Sequence, residues 1–166
     1  MTTWWTLLPS PVDDLLLTTD GSALTGVFFS PHKGIGLNDR LGNEWVRDDD
    51  HSVLRNTAGQ LQQYFARERK EFELELAPPG TGFQRRVWDA LCAIPFGETR
   101  SYGEIAAQLG LPPGASRAVG LANGANPISI VVPCHRVIGT SGALTGYGGG
   151  LERKRFLLDL EADLLF

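Results

Sequence analysis

A thiol and an imidazole stand side by side where an apolar run ends, in the segment Ile130-Val131-Val132-Pro133-Cys134-His135-Arg136-Val137. Cysteine is nucleophilic only as the thiolate, and a neighbouring imidazole or cation lowers its pKa from about 8.5 towards neutrality. A cysteine after an apolar stretch is also common in inert cores. Three features favour reactivity: Pro133 fixes the backbone, His135 and Arg136 are costly to bury without a purpose, and Asn126-Pro127 predicts a facing turn. Because adjacent side chains need not touch, a water molecule would connect the thiol to the imidazole.

The composition describes an ordinary globular protein. Two cysteines in 166 residues cannot form a disulfide framework, and 42% of the residues are hydrophobic against 20% charged. The start lacks a basic and apolar signal region, and no stretch approaches the roughly 18 apolar residues of a membrane span. We therefore expect a cytoplasmic protein that has no membrane partner.

The charge is divided unevenly along the chain. Residues 1–80 carry 7 Lys and Arg against 12 Asp and Glu, whereas residues 81–166 carry 8 against 7. The excess negative charge behind the net charge of −4 therefore lies in the first half, and the charge of the second half does not prevent it from binding a phosphate backbone.

The first half is typical of a small α/β unit. Alternating or β-rich stretches predict three strands, a hairpin turn at Asp20-Gly21 joins the first two, and helical spacing predicts a helix before the third. The strands are 14–19, 23–29 and 71–76, and the helix is 53–65. Ala77-Pro78-Pro79-Gly80 then breaks both periodicities and is the predicted linker.

The second half is mainly helical. An apolar stripe predicts a helix over 83–94, and Cys92 lies on that stripe as a small buried hydrophobe. Ser101 and Glu104 have capping-box spacing and start a short helix that runs through Leu109. A turn at 111–114 and a helix over 115–123 complete a helix-turn-helix outline, which many proteins that bind no DNA share.

The second helix of this outline is nearly without side chains, since Ala, Ser and Gly dominate it. A smooth helix can pack tightly on a neighbouring helix or approach a nucleic-acid groove, and composition leaves both open. Arg117 favours the nucleic-acid interpretation, because it is a lone long cationic side chain that could occupy the place of a base removed from the stack.

Together these residues resemble the O6-alkylguanine-DNA alkyltransferase family, also called methylated-DNA–protein-cysteine methyltransferases. The similarity is dense from Phe83 to Glu161, and before it only a strand-turn-strand beginning around Ser10-Pro11-Val12 is similar. The matching motifs are Phe83-Gln84 with Val87-Trp88, Ile94-Pro95-Phe96-Gly97-Glu98-Thr99, Ser101-Tyr102, Arg117-Ala118-Val119-Gly120, Asn126-Pro127, Pro133-Cys134-His135-Arg136-Val137 and Gly146-Tyr147-Gly148-Gly149.

The resemblance implies an α+β protein with a small N-terminal α/β (RNase H-like) domain, residues 1–77. A mostly helical C-terminal domain with a winged-helix-like helix-turn-helix, residues 81–166, would bind DNA and transfer the alkyl group. The alkyl group of O6-alkylguanine in double-stranded DNA would pass irreversibly to Cys134 once the nucleotide is flipped out of the duplex. The protein would act once, as a monomer in solution, and the resemblance leaves open cooperative binding on DNA and reaction with O4-alkylthymine.

The resemblance also implies a role for each site residue. His135 would act on Cys134 through water and be oriented by Glu161, 27 residues beyond the cysteine, while Asn126 would brace the turn. Arg117 would fill the vacated stack and Tyr102 would crowd the phosphate of the flipped nucleotide. The remaining expected DNA-binding residues are Ser116, Ala118 and Arg136. The expected pocket residues are Asn123, Ser129, Val137, Tyr147 and Gly148.

Two departures from the family pattern bear on function. Some members hold a structural zinc in the first domain, but residues 1–80 contain no cysteine, so we expect no metal and no cofactor. Ser129 and Asn123 stand where vertebrate members carry a proline and a methionine. Both changes remove apolar surface, so we expect weaker reaction with bulky groups such as benzyl.

Two other functions compete with alkyl transfer. A lesion sensor without chemistry is the first, although relatives of that kind replace the cysteine that this chain keeps. A Cys-His hydrolase is the second, but the sequence carries no oxyanion-hole signature, and hydrolysis would not explain Tyr102 and Arg117.

Overall fold

A computed structural model describes residues 2–30, 44–139, 142, 147 and 149–162 of the chain. It divides into two compact units, Met1–Pro79 and Gly80–Phe166. Within the described residues, the first contains a mixed sheet with one helix, and the second contains four α-helices and a two-stranded sheet, so the class is α+β.

The first unit has a four-stranded sheet in the order β3-β2-β1-β4. Its strands are β1 (Thr3–Leu8), β2 (Leu15–Thr19), β3 (Leu24–Phe29) and β4 (Trp45–Arg47), and its helix is α1 (Ser52–Phe65). Strands β1, β2 and β3 pair antiparallel, whereas β4 pairs parallel to β1. All five residues of β2 are buried, because it lies inside the sheet and contacts α1.

The predicted hairpin turn is confirmed between β2 and β3. The carboxylate of Asp20 accepts hydrogen bonds from the backbone N–H groups of Ser22 and Ala23 at 2.9 and 3.0 Å. These bonds hold the pKa of Asp20 below its ordinary value. Gly21 adopts φ +107°, a conformation that glycine adopts without strain.

The predicted strand over 71–76 is wrong. Its apolar residues are less exposed than the charged residues between them, but within the described residues the segment forms only one isolated bridge, between Leu76 and Leu24. The side chain of Gln60 instead takes both backbone groups of Glu73, donating to its carbonyl at 3.1 Å and accepting from its N–H at 2.9 Å. The alternating pattern therefore predicted which side chains are less exposed. It did not predict that the backbone at Glu73 pairs with the side chain of Gln60 on α1 in place of another strand.

The second unit begins with α2 (Gly82–Cys92), capped by Thr81 and Gln84. It continues through β5 (Arg100–Ser101), α3 (Tyr102–Gln108), α4 (Ser116–Gly124), β6 (Val137–Ile138) and α5 (Leu151–Glu161). The predicted capping box is confirmed, since Ser101 and Glu104 accept from each other's backbone N–H groups. Helices α3 and α4 pack together as the expected helix-turn-helix.

In the part of the chain described, no helix is long and apolar enough to cross a membrane.

Cys92 does not behave as predicted. It is the last residue of α2 and its side chain is exposed, although Leu91 just before it and Ile94 just after the helix are buried. A residue on an apolar stripe can therefore still be exposed at the end of a helix.

Replacing Gln60 with leucine should destabilise the first unit by about 1–2 kcal/mol, because both hydrogen bonds to the backbone of Glu73 are lost at a buried position. The measurement is the urea-unfolding midpoint of the full chain. Gln62→Leu, an exposed change on the same helix, is the matched control and should shift stability by less than about 0.5 kcal/mol. Equal effects of the two substitutions would contradict this role of Gln60.

Candidate active site

A tightly held turn carries the thiol. The side chain of Asn126 donates to the carbonyl of Val132 at 2.8 Å and accepts from the N–H of Ile128 at 3.0 Å. Ile130 adopts φ +72° inside this turn, which is unfavourable for a β-branched residue. The surrounding contacts must impose that strain, so the turn that precedes Cys134 has little freedom.

Cys134 opens a short 3-10 turn, Cys134–Arg136, and is buried. Burial raises the pKa of its thiol, because the thiolate is the form that loses most by leaving water. A hydrogen bond from Asn126, the positive charge of Lys154 and a hydrogen bond from Tyr147 oppose that rise. The site therefore disfavours a bare thiolate yet surrounds the sulfur with groups that stabilise one.

The next two residues form a buried charge network with the end of α5. Glu161 accepts from Nε2 of His135 at 2.7 Å, from Nε of Arg136 at 2.7 Å and from a terminal nitrogen of Arg136 at 3.0 Å. Arg136 also donates to the carbonyl of Ile94 at 2.7 Å, and its guanidinium lies 5.8 Å from the ring centre of Phe96. These three side chains are all buried, so each charge depends on the others.

The network determines which imidazole nitrogen carries the proton. Burial alone would raise the pKa of Glu161, but hydrogen bonds from His135 and Arg136 outweigh it and hold the pKa well below its ordinary value. Burial lowers the pKa of His135, so its neutral form is favoured. A carboxylate only accepts, so Nε2 carries the hydrogen. Nδ1 is then a bare base, and it has no hydrogen-bond partner among the described residues.

Lys154 is a site residue that the sequence did not single out. It is 0% exposed, its Nζ donates to the carbonyl of Val137 at 2.6 Å, and it lies 5.9 Å from the ring centre of Tyr147. Burial lowers its pKa to about 8, and the nearby Cys134 opposes that shift. A signal was present, because Lys154 stands seven residues before Glu161 on α5 and hence on the same helix face.

In the helix-turn-helix, α4 exposes small residues together with two long side chains, Arg117 and Leu121. Arg117 and Ala118 on α4 are exposed, and Ser116 is half-buried at the start of that helix. Tyr102 begins α3, and its ring lies 3.7 Å from the point where a Cβ on Gly120 would be. The aromatic ring therefore lies against α4, at a distance where an alanine at position 120 would make an ordinary van der Waals contact.

Arg136 is not part of that surface. It is buried, and its guanidinium is occupied by Glu161 and by the carbonyl of Ile94. This corrects the expectation that Arg136 contacts DNA, because a side chain held on every polar atom cannot also reach a phosphate. Sequence gives no sign of this, since the partners lie 25 and 42 positions away.

The expected pocket residues are only partly gathered. Asn123, Ser129 and Val137 are buried, and Asn123 donates to the carbonyl of Cys134 at 3.4 Å. Tyr147 is half-buried beside Lys154. Gly148 lies outside the described residues.

Comparison with known proteins assigns both units to one family. The 6-O-methylguanine DNA methyltransferase, ribonuclease-like domain matches residues 3–78, and the DNA binding domain of the same family matches residues 82–163. The chain belongs to the O6-methylguanine DNA methyltransferase family. As a member, it repairs DNA by transferring an alkyl group to a cysteine of its own, which confirms the expected activity and the α+β architecture.

Relatives of this methyltransferase match over nearly all of its length. The methylated-DNA–protein-cysteine methyltransferase of Mycobacterium tuberculosis is 53% identical over 93% of this chain and 89% of its own. That of Methanosarcina acetivorans is 50% identical over 95% and 97%. The crystal structure of Mycobacterium tuberculosis OGT in complex with DNA is 51% identical and superposes with a TM-score of 0.87, over 96% of this chain and 93% of that one.

Replacing Glu161 with glutamine should destabilise this methyltransferase by about 3–5 kcal/mol at pH 7, because Arg136 would be left buried without its counter-charge. The lowered pKa of Glu161 means that its contribution is complete above the ordinary value of 4.5 and is lost as pH falls below it. Thermal or urea unfolding from pH 7 to pH 3 measures this.

The matched control is Glu152→Gln, which is exposed at the start of the same helix and should change stability little at any pH. A Glu161→Gln deficit that persists undiminished at pH 3 would show that the lost charge is not its cause.

Proposed function

We propose that Cys134 is the cysteine that accepts the alkyl group, and that it does so once. The sulfur attacks the carbon bonded to O6 of the guanine, an S–C bond forms, and the C–O6 bond breaks with its electron pair passing to the base. The base takes up a proton and becomes guanine. The observation that carries this assignment is the buried His135–Glu161 pair directly beside Cys134, whereas Cys92 stands exposed at the end of α2.

His135 is the base that receives the thiol proton, through a bridging water. Its bare Nδ1 supports this role, and Glu161 stabilises the imidazolium that forms. Lys154 supplies a positive charge to the thiolate, which the sulfur needs most in a site without bulk water. Asn126 keeps the turn in place while the proton moves.

The second domain, residues 81–166, engages a DNA duplex from the minor groove and flips the damaged nucleotide towards Cys134. Exposed Arg117 fills the vacated stack, and the small residues Ser116 and Ala118 allow close approach of α4. Tyr102 crowds the phosphate of the flipped nucleotide. Flipping costs a few kcal/mol, which these contacts offset.

The flipped base is read by a pocket around Cys134. The carbonyls of Cys134 and Val137 accept from the guanine amine, and the carbonyl of Val137 also accepts from Nζ of Lys154. Tyr147, Asn123 and Ser129 complete the pocket, with Gly148 approaching the base through its backbone.

The natural substrate is double-stranded DNA that contains O6-alkylguanine, and the protein meets it as a monomer in the cytoplasm. A reducing compartment suits an acceptor that must remain a free thiol.

Incubation with a duplex containing O6-methylguanine should add one methyl group, irreversibly, at Cys134, as read by mass spectrometry of the intact chain and its peptides. Cys134→Ser should accept none, and Cys92→Ser is the matched control that should react like the wild type. Binding without an adduct would instead indicate a lesion sensor, and turnover of a peptide or ester would indicate a hydrolase.

Lys154→Met should stabilise the protein while slowing transfer. The lowered pKa shows that the fold disfavours the charge, so removing it should raise stability at pH 7 by about 1–3 kcal/mol after the lost hydrogen bond is counted. The gain should shrink from pH 8 to pH 10.5, because the unfolded chain then holds the proton that folded Lys154 has lost.

Transfer to Cys134 should slow by about tenfold or more, since one pKa unit changes the thiolate fraction tenfold. Arg155→Met, an exposed neighbour on the same helix, is the control for both measurements. A Lys154→Met protein that is more stable but transfers the alkyl group at the wild-type rate would show that Lys154 has no role in the transfer.

A further inference from the structure

A γ-turn, in which a carbonyl accepts a hydrogen bond from the N–H two residues later, lies just before Cys134. The N–H of Val131 donates to the carbonyl of Ser129 at 2.8 Å, and the central residue, Ile130, has φ +72°. A positive φ of this size is that of the classic γ-turn, which is rare and strained, whereas the common inverse form has a negative φ.

A second γ-turn follows, and it is of the relaxed, inverse form. The N–H of Cys134 donates to the carbonyl of Val132 at 2.8 Å, and Pro133 between them has φ −81° and ψ 63°. The same carbonyl accepts from the side chain of Asn126, and the N–H of Val132 donates to the carbonyl of Ile128 at 3.0 Å. The backbone that joins the strained turn to the thiol therefore has no unpaired N–H.

Isoleucine is an unexpected residue at the centre of the strained turn. Among the described residues with a positive φ, five are glycines and three are not, and Ile130 is the only β-branched one. The other two, Asp13 and Arg67, are not buried, whereas Ile130 is 1% exposed. A glycine would adopt this backbone without strain, so what isoleucine adds is a side chain held in the interior.

Burial and strain act in opposite directions at Ile130. Taking an isoleucine side chain out of water stabilises a protein by about as much as such a backbone conformation costs. The strained turn is therefore kept only while the side chain stays in the interior. The side chain anchors the turn, and the turn sets the path of the backbone that leads to Cys134.

We propose that Ile130 is a positioning residue for alkyl transfer, whose buried side chain holds the γ-turn in its strained form and so fixes the sulfur of Cys134 within reach of the water that joins it to His135. This inference rests on the proposed function of Cys134 as the acceptor. Ile130 acts through the backbone alone. Transfer is sensitive to such placement, because moving a reacting group by about 1 Å can slow a reaction about a hundredfold.

Two substitutions separate the strain from the packing. Ile130→Ala removes the anchor but keeps a Cβ, so a positive φ remains unfavourable, whereas Ile130→Gly removes the anchor and the strain together. Ile130→Gly should therefore have the higher urea-unfolding midpoint of the two and the faster methyl transfer, although it deletes more atoms. A residue that served only to fill the core would give the opposite order.

Single-turnover methyl transfer is measured at saturating duplex, and the affinity for the same duplex is measured separately. Ile130→Ala should slow transfer by about tenfold or more, Ile130→Gly should be at least about threefold faster than Ile130→Ala, and Ile130→Val should keep the wild-type rate. Affinity should stay unchanged in all three, because the exposed residues of α4 are untouched. A wild-type rate in Ile130→Ala, or a loss confined to affinity, overturns the proposal.

The same pair of changes at Ile105 is the matched control, because that isoleucine is also buried but lies in α3 with helical backbone. There Ile105→Gly should be less stable than Ile105→Ala, since glycine is the poorer helix former. The same order of stability at both positions overturns the role of the strained turn.

Hydrogen exchange in the wild-type protein decides the matter if the Ile130 variants fail to fold. The N–H groups of Val131 and Cys134 close the two γ-turns, so they should exchange as slowly as those in the middle of α2. Exchange of either group at the rate of an open loop overturns the proposal.

Methyl transfer to wild-type Cys134, measured on the same preparation, separates this inference from the proposed function. No methyl on Cys134 overturns the proposed function itself. Methyl on wild-type Cys134, with an undiminished rate in Ile130→Ala, overturns the positioning role of Ile130 alone.

Discussion

The interaction on which the site depends is the pairing of Glu161 with His135 and Arg136, out of water. Burying an unpaired ion costs several kcal/mol, so these groups must meet with correct geometry or the second unit is destabilised. His135 and Arg136 directly follow Cys134, so the pairing that neutralises them also places the thiol. The end of α5 and the turn that begins at Cys134 are therefore positioned by one electrostatic requirement.

Burial gives this methyltransferase a thiol that is protected but not inert. Taking Cys134 out of water raises its pKa and limits oxidation and reaction with free electrophiles, which matters for a residue that can be used only once. The positive charge of Lys154 opposes this rise in pKa, and His135 is a base that can take the thiol proton. Both are in place when the alkyl group arrives. The cost is a lysine held in a site that disfavours its charge.

Local chemistry made much of the fold predictable. The Asp20-Gly21 turn and the Ser101–Glu104 capping box each depend on residues close in sequence, and both form as expected. The segment 71–76 was misassigned because its strand partner is replaced by the side chain of Gln60, thirteen positions earlier. Arg136 was misjudged because only the folded chain shows that it meets Glu161. Lys154 was missed although its spacing from Glu161 was a signal, because its hydrogen-bond partner Val137 lies in another element.

Glu161 holds His135 as a neutral imidazole, and the unprotonated Nδ1 is the atom that receives the thiol proton of Cys134. Nitrogen-15 NMR of the histidine side chains in the full chain, with His135 identified through a His135→Gln variant, reads that state directly. We expect one protonated nitrogen at pH 7, Nε2, and an unprotonated Nδ1. A doubly protonated ring at pH 7, or a proton on Nδ1 alone, would contradict this account of how Cys134 is activated.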